Sequence, residues 1–215
     1  MTKGKLFKTL CAVLLLAQLL TLVSSTAFAA GENRSGNYTY KILSDGTAEI
    51  TRYNGRDTSI TIPEELDGHT VSTVGEHAFM YCSASSISIG TNIVHIKEGG
   101  FFGCKASTIR IDANDIVIGK EAFSCCSGID SFTLVANNVT IGKYAFMYAK
   151  PMSTFTWELA DPNATGVKVT LDEGAFFSSN ITSIHIPGDE LVIGKEAFSC
   201  CSNIESFWRI CSPGG

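Results

Sequence analysis

The chain repeats one sequence unit six times. The stretch IGKEAFSCCSGIDSF begins at Ile118 and returns from Ile193 as IGKEAFSCCSNIESF, with substitutions at only two positions. Looser copies begin at Val74, Ile96, Ile141 and Leu171. A unit that recurs in this way predicts a solenoid, because each coil can bury its apolar side only against neighbouring coils.

One phenylalanine in each copy marks the period of the repeat. Successive anchor phenylalanines are 22, 22, 23, 30 and 22 residues apart. Units of about 20–29 residues, each with a short strand and a return segment, fall in the range of leucine-rich repeats. The spacing therefore predicts a β-rich leucine-rich-repeat solenoid with coils of about 22–23 residues. The anchors are Phe79, Phe101, Phe123, Phe146, Phe176 and Phe198.

Small side chains flank every anchor phenylalanine. Alanine or glycine precedes it, and the third residue after it is cysteine, alanine or serine. Stacked strands lie about 4.8 Å apart, so columns that never admit a bulky residue are expected inside, packed against the phenylalanine rings. The predicted interior ladder therefore adds to the six phenylalanines the residues Cys82, Cys104, Cys126 and Cys201.

A strand of alternating apolar and polar residues follows each anchor. The apolar residues, such as Ile109 and Ile111, point inward, and their neighbours point outward. A second apolar segment closes each coil on the opposite side. The outer face of the main sheet is therefore expected to be rich in hydroxyl groups. Its candidate binding residues are Ser88, Arg110, Thr133, Thr156, His185 and Trp208.

The interval between Phe146 and Phe176 is longer than the others. Its extra residues fall between Glu158 and Gly166 and include the turn signal Asp-Pro-Asn. Extra residues in a solenoid repeat are extruded as a loop, often on the binding face. A neutral insertion is the alternative, because loops accept added residues at small free-energy cost. Glu158, Asp161 and Asn163 are the candidate residues of a binding loop.

The first 29 residues are predicted to be a secretory signal peptide. Three lysines precede an apolar run over residues 10–23, and Ala27-Phe28-Ala29 matches a cleavage site. The run is shorter than the roughly 20 residues of a membrane-spanning helix. The mature protein is therefore expected to be secreted or held at the cell surface, with no membrane span after cleavage.

Two further segments complete the predicted domain organisation. Residues 30–58 are expected to form a capping β-hairpin, whose turn is Asp45-Gly46. Residues 59–215 are expected to form the solenoid. After Phe207 the chain reads WRICSPGG, which predicts no capping element. We therefore expect either a longer natural protein or self-association through the last coil.

Charge and cysteine usage exclude several functional classes. Without the three lysines of the signal peptide, 13 basic and 21 acidic residues remain, a net charge of −8, which argues against a nucleic-acid partner. No residue pattern indicates a catalytic group, a metal site or a cofactor site. Seven mature cysteines are an odd number, and free thiols that fill the interior are favoured over disulfides. Cys125 and Cys200 fall in a column that accepts any size, so they are expected at the surface.

The hairpin YKILSDGTAEITRYNG, the following ITIPEELDGHTVSTVG and the repeated IGxxAFxxC resemble the BspA-type leucine-rich repeats of bacterial surface proteins. The resemblance covers nearly the whole mature chain. It implies a right-handed, all-parallel curved solenoid and a role in adhesion, such as binding host matrix or plasma proteins or other cells. The predicted partner is a host extracellular or plasma protein, or a glycan. Ala149 and Ser179 depart from the cysteine column of the family pattern. The motif itself marks no ligand site.

The sequence thus predicts a non-enzymatic, adhesin-like binding protein that uses the outer face of its main sheet and the loop at residues 158–166. The first alternative is a structural spacer within a larger surface protein. A hydrolase is the third possibility, and it would require a deep pocket with perturbed titrating groups.

Overall fold

The computed structural model of the chain describes residues 31–150, 152 and 154–210, with side chains as far as residue 207. The predicted signal peptide lies outside the described residues, so that prediction stands untested. Residues from Asn33 onward form one compact unit. Within the described range, no helix is long and apolar enough to span a membrane.

The described fold consists of β-strands joined by turns. The strands are β1 (Glu32–Ser35), β2 (Tyr38–Ile42), β3 (Ala48–Tyr53), β4 (Ser59–Thr61), β5 (Glu65–Leu66), β6 (His69–Val74), β7 (Ser86–Ile89), β8 (His95–Ile96), β9 (Thr108–Asp112), β10 (Ile116–Ile118), β11 (Ser131–Val135), β12 (Val139–Ile141), β13 (Thr154–Glu158), β14 (Lys168–Leu171), β15 (Ser183–Pro187), β16 (Glu190–Ile193) and β17 (Ser206–Ile210).

Two parallel sheets run along the solenoid. The main sheet has the order β17-β15-β13-β11-β9-β7-β4, and the second sheet continues from β6 through β8, β10, β12 and β14 to β16. Equivalent residues of successive coils pair directly, as Ile109, Phe132 and Phe155 do. The solenoid prediction is therefore confirmed, with about seven coils of parallel strands.

Stacked aromatic rings fill the interior. The six anchor phenylalanines lie one above another, with ring centroids 4.9–5.3 Å apart. The rings of Phe132 and Phe155 meet this stack edge-on, as in the 5.2 Å contact between Phe132 and Phe123. The small residue before each anchor is buried in every coil. The predicted alternation is also confirmed, because both inward residues of β7, β9, β11, β13 and β15 are buried.

Each coil turns through two left-handed backbone positions. In the coil of Phe123 they are Glu121 (φ 55°) and Cys125 (φ 58°). Three aromatic side chains at such positions lie over a glycine of the next coil, whereas Tyr148 is followed by Ser178. A Cβ atom at Gly103 would lie 2.4 Å from the ring of Tyr81, and one at Gly174 would lie 2.2 Å from the ring of Tyr144. The ring of one coil therefore lies directly over the glycine of the next.

A hairpin covers the first coil. Strands β2 and β3 pair antiparallel, and β3 pairs parallel with β6. Tyr53 in β3 stacks on Phe79 at 5.2 Å, so the aromatic stack continues into the hairpin. Burial, followed by a hydrogen bond to Asp57, raises the pKa of Tyr53 to about 12. Glu49, only 3% exposed, pairs with Lys41 at 3.1 Å and Lys97 at 2.7 Å.

The sequence interpretation missed a second, shorter hairpin. Strands β5 and β6 pair antiparallel around Asp67 and Gly68, which both have positive φ. Asp-Gly is a strong two-residue hairpin signal, so the sequence did carry the information. The domain limits at residues 29 and 58 remain predictions.

The last described coil leaves apolar residues exposed. Ile193 in β16 is 46% exposed, although its equivalent Ile141 is fully buried. Phe207 in β17 is also exposed, whereas Phe132 and Phe155 are buried. Among the described strands, β16 and β17 lie at the ends of the two sheets, and this end position accounts for the greater exposure of the last coil.

Candidate binding surfaces

The outward residues of the main sheet form one straight row. Ser88, Arg110, Thr133 and Thr156 lie directly opposite one another on β7, β9, β11 and β13. They are exposed or half-buried. Trp208 pairs with His185 at the end of the sheet, but its side chain lies outside the described part of the chain. The strand register therefore brings these predicted face residues together.

Arg110 in this row, and a serine pair beside the row, bond to neighbouring residues of the same sheet. The Arg110 guanidinium binds both carboxylate oxygens of Asp112, at 2.8 and 2.5 Å. The Ser86 hydroxyl donates to Ser59 at 2.8 Å. His185 is half-buried, and its Nε2 atom has no hydrogen-bond partner among the described residues. The row is thus a hydroxyl-rich surface with one internally neutralised charge.

The predicted binding loop connects the two sheets. Residues 159–167 lie between β13 and β14, whereas residues 136–138 make the same connection one coil earlier. The Asp161 carboxylate accepts the Asn163 backbone N–H at 2.9 Å, and the Asp161 N–H donates to Asn137 at 3.0 Å. Asp161 therefore shapes the loop and fixes it to the preceding coil. Glu158 and Asn163 are exposed.

The loop borders a groove on the second sheet. The groove has a volume of about 540 Å³. Its floor contains Val94, Val117, Thr140 and Thr170, contributed by successive coils. Val117 is 39% exposed, between the buried Ile116 and Ile118 of its strand. Gly166, at the end of the extruded loop, is also part of the lining.

Side chains from four successive coils brace one side of this groove. Asp115 accepts two hydrogen bonds from Asn138, one from the backbone N–H at 3.0 Å and one from the side-chain amide at 2.9 Å. Asn138 in turn accepts the backbone N–H of Lys168 at 2.8 Å. The Lys168 ammonium pairs with Glu190 at 2.9 Å, with both side chains well exposed. The groove thus combines an aliphatic floor with a polar edge whose side chains are fixed by hydrogen bonds and an ion pair.

The predicted loop lies beside the outer face of the second sheet, whereas the sequence predicts a binding face on the main sheet. The second apolar segment of each coil was interpreted only through its inward residues. The available signal was a single outward residue between two inward ones, as in Ile116-Val117-Ile118. A valine at an outward position marks exposed apolar surface, which singles out the floor of the groove.

The cysteines along the solenoid differ in their contacts, pKa values and burial. The six described cysteines are free thiols. The thiols of Cys82 and Cys104 lie 3.2 Å apart, and this contact lowers the pKa of Cys82 and raises that of Cys104. Burial raises the pKa of Cys126 to about 12. Cys200 is exposed as expected, whereas Cys125 is partly buried. The described residues contain no cluster of three or more histidine, cysteine or acidic side chains that could hold a metal ion.

Comparison with known families identifies the repeat. The family model described as "BspA type Leucine rich repeat region" matches residues 53–160 and 165–210 in six copies. No curated protein matches the chain.

Three solved structures share the fold. A leucine-rich cell surface protein from Faecalibacterium prausnitzii is 23% identical, with a TM-score of 0.53, over 85% of this chain and 55% of its own. The pneumococcal vaccine antigen PcpA is 20% identical, with a TM-score of 0.64, over 84% and 50% of the two chains. The T. pallidum leucine-rich repeat protein is 19% identical, with a TM-score of 0.51, over 82% and 70%. The present chain spans about half the length of the first two.

Proposed function

The chain belongs to the BspA-type leucine-rich-repeat family, and we propose on that premise that it is a bacterial secreted or cell-surface binding protein. Its proposed ligand is an extended segment of a host extracellular or plasma protein, held in the groove beside the loop at residues 158–166. The observation that carries this proposal is the groove itself, because an extruded loop and exposed valines converge there.

The chemistry of the groove favours a protein segment over a glycan. Val94 and Val117 offer an aliphatic floor to apolar side chains. The described lining contains no phenylalanine, tyrosine or tryptophan on which a sugar ring could stack. The carboxylate of Asp115 and the ammonium of Lys168 provide polar partners at the edge. A glycan ligand is retained as an outcome of the binding test.

The placement of the histidines supports a non-enzymatic role. His69 bonds to the Gly46 carbonyl of the cap hairpin at 2.9 Å, and His95 lies at the groove. The ring of His77 lies over Gly99 at a corner of the coil, and His185 lies on the main sheet. A nucleophile and its base must lie within hydrogen-bonding reach of each other. Cys104 and Cys126 are poor candidates for such a nucleophile, because both thiols are buried and have raised pKa values.

The experiment that tests the proposal compares the unmodified chain with three variants on an array of matrix proteins, plasma proteins and glycans. In the first variant, residues 159–167 are replaced by Ala-Asn, so that Lys168 takes the register of Asn138 and the connection has the length found in the preceding coil. The second is Val117→Glu in the groove floor, and the third is Thr133→Glu on the main-sheet row. We expect the unmodified chain to bind a protein saturably. The first two variants should lower the affinity at least tenfold, and the third should leave it unchanged.

Other outcomes would redirect the proposal. Loss of binding only in Thr133→Glu would place the site on the main-sheet row. Binding to glycans alone would overturn the protein ligand. No binding from folded protein would favour the structural spacer, and concentration-dependent mass would favour self-association through the last coil.

A further inference from the structure

Two cysteines of adjacent coils touch beneath the capping hairpin. The Sγ atoms of Cys82 and Cys104 are 3.2 Å apart. No other pair of cysteines within the described part of the chain makes such a contact. Cys126 bonds instead to the Phe101 carbonyl at 3.2 Å, and Cys201 contacts the Ser179 hydroxyl at 3.4 Å.

The usual spacing of stacked coils is close to the dimensions of a disulfide. Equivalent residues of adjacent parallel strands and turns lie about 4.8 Å apart, inside the usual Cα–Cα range of bridged cysteines. The mean strand spacing alone places stacked Cβ atoms too far apart, but here the two side chains point at each other. Bond formation requires the sulfurs to close from 3.2 Å to about 2.05 Å. Side-chain rotation together with a small approach of the two turns would bring the Cβ atoms within the bridged range of about 3.5–4.5 Å.

The two thiols differ in accessibility in a way that suits stepwise oxidation. Cys82 is partly exposed, so a small oxidant can reach it from solvent. Cys104 is fully buried, so it can react only with a sulfur already beside it. The hydrogen bond from Cys104 lowers the pKa of Cys82, which favours the thiolate that attacks disulfides.

We propose that Cys82 and Cys104 form a disulfide when the protein meets a low-molecular-weight disulfide oxidant. The Cys82 thiolate attacks one sulfur of the oxidant, forming a mixed disulfide and releasing one thiolate. The Cys104 thiol then loses its proton and attacks the Cys82 sulfur, which releases the second thiolate. Two protein thiols are oxidised and one disulfide is reduced to two thiols, so two electrons are transferred.

This cross-link ties the first two phenylalanine-bearing coils together. It closes a segment of about 22 residues next to the hairpin that covers the solenoid, where a disulfide restricts the unfolded chain. The inference rests on the thiol geometry alone and is independent of the proposed ligand. An exported protein would meet the oxidising conditions that the reaction needs.

The test uses protein expressed from the full-length sequence and carrying Cys200→Ser, because the exposed Cys200 could link two molecules. Reduced protein is incubated with oxidised glutathione, and thiols are counted by alkylation after denaturation. Peptide mapping then identifies the linked residues. The variants are Cys82→Ala and Cys104→Ala, with Cys126→Ala as the matched control. Alanine is chosen because Ala149 already occupies this column.

We expect oxidation to remove two thiols and to give one peptide that joins Cys82 to Cys104. The melting temperature should rise by roughly 5–10 °C and return on reduction. Either alanine variant at positions 82 and 104 should abolish both effects, and Cys126→Ala should preserve them. A stable glutathione adduct on Cys82, a link from Cys104 to Cys126 or an unchanged thiol count would overturn the proposal.

Discussion

The anchor phenylalanines are the residues on which the interior depends. Phe123 stacks on Phe101 at 5.1 Å and on Phe146 at 5.3 Å, and it meets Phe132 edge-on at 5.2 Å. Each ring therefore stabilises two neighbouring coils as well as its own. An outward residue such as Thr133 contributes to one strand face only.

Phe123→Ala should lower the free energy of unfolding by about 3–5 kcal/mol, because it leaves a cavity in the middle of a close-packed stack. Thr133→Ala should change it by less than about 0.5 kcal/mol, since the side chain faces solvent. Denaturant titration of the two variants checks the ranking. A larger loss for Thr133→Ala would mean that the inner and outer faces of the main sheet were exchanged.

Two features at the residue scale could be predicted from the sequence, and one could not. The buried Ile109 and Ile111 followed from a two-residue alternation, and the coil length followed from the phenylalanine spacing. The left-handed positions gave no consistent signal, because residues as different as Glu121 and Cys125 occupy them besides glycine. Only the backbone geometry of the stacked coils reveals them.

Successive coils are coupled by a ring that lies over a glycine. Tyr81 lies over Gly103 and also meets Phe102 edge-on at 5.8 Å. Cys125 and Tyr148 hold side chains at the equivalent position with φ of 58° and 56°, so the turn itself accepts a Cβ atom. A side chain at position 103 would therefore have to displace the Tyr81 ring from its present position, although Ser178 follows Tyr148 at the equivalent step.

Gly103→Ala should lower the free energy of unfolding more with Tyr81 present than in a Tyr81→Ala background. The added Cβ atom would displace the ring from Phe102, and the lost edge-on contact gives an expected coupling of about 0.5–1.5 kcal/mol. A double-mutant cycle by thermal or denaturant unfolding measures this coupling. Equal effects in both backgrounds would assign the cost to backbone strain alone.

The groove was the element that sequence reasoning could not assemble. The loop at residues 158–166 was evident from the longer interval, but its position over the second sheet depends on how the coil closes. Asn137 and Asp161, which hold the loop, come from different coils. The spacing of residues in the sequence does not show against which sheet such a bond holds the loop.

At the scale of the whole molecule, the two ends differ. The first coil is covered by β2 and β3, with Tyr53 stacked on Phe79 and Glu49 bound by two lysines. The last described coil exposes Ile193 and Phe207. Because each coil of a solenoid contacts only its neighbours, opening of the described coils should begin at the coil that exposes its apolar residues.

Hydrogen exchange should therefore be fastest in β16 and β17, slowest in β9 to β12, and slow in β6 because of the hairpin. Exchange followed by mass spectrometry at two protein concentrations checks this order. Protection of β17 that grows with concentration would contradict the expected fraying and would show that a second molecule covers this edge. The variant Phe207→Ser should remove any such protection, and Ile42→Ser, equally exposed on the hairpin, should not.

The ring-over-glycine contacts constrain how a gene for this solenoid can lengthen. A tandem duplication of the unit that contains Tyr81 would place a tyrosine where its neighbour needs glycine, and so would a duplication of the unit that contains Tyr144. Copying a unit together with its glycine-bearing successor preserves the match. Single-coil copies of these two units are therefore expected to be less stable than copies of the coil pairs, so the order of the coils affects stability as well as their sequence.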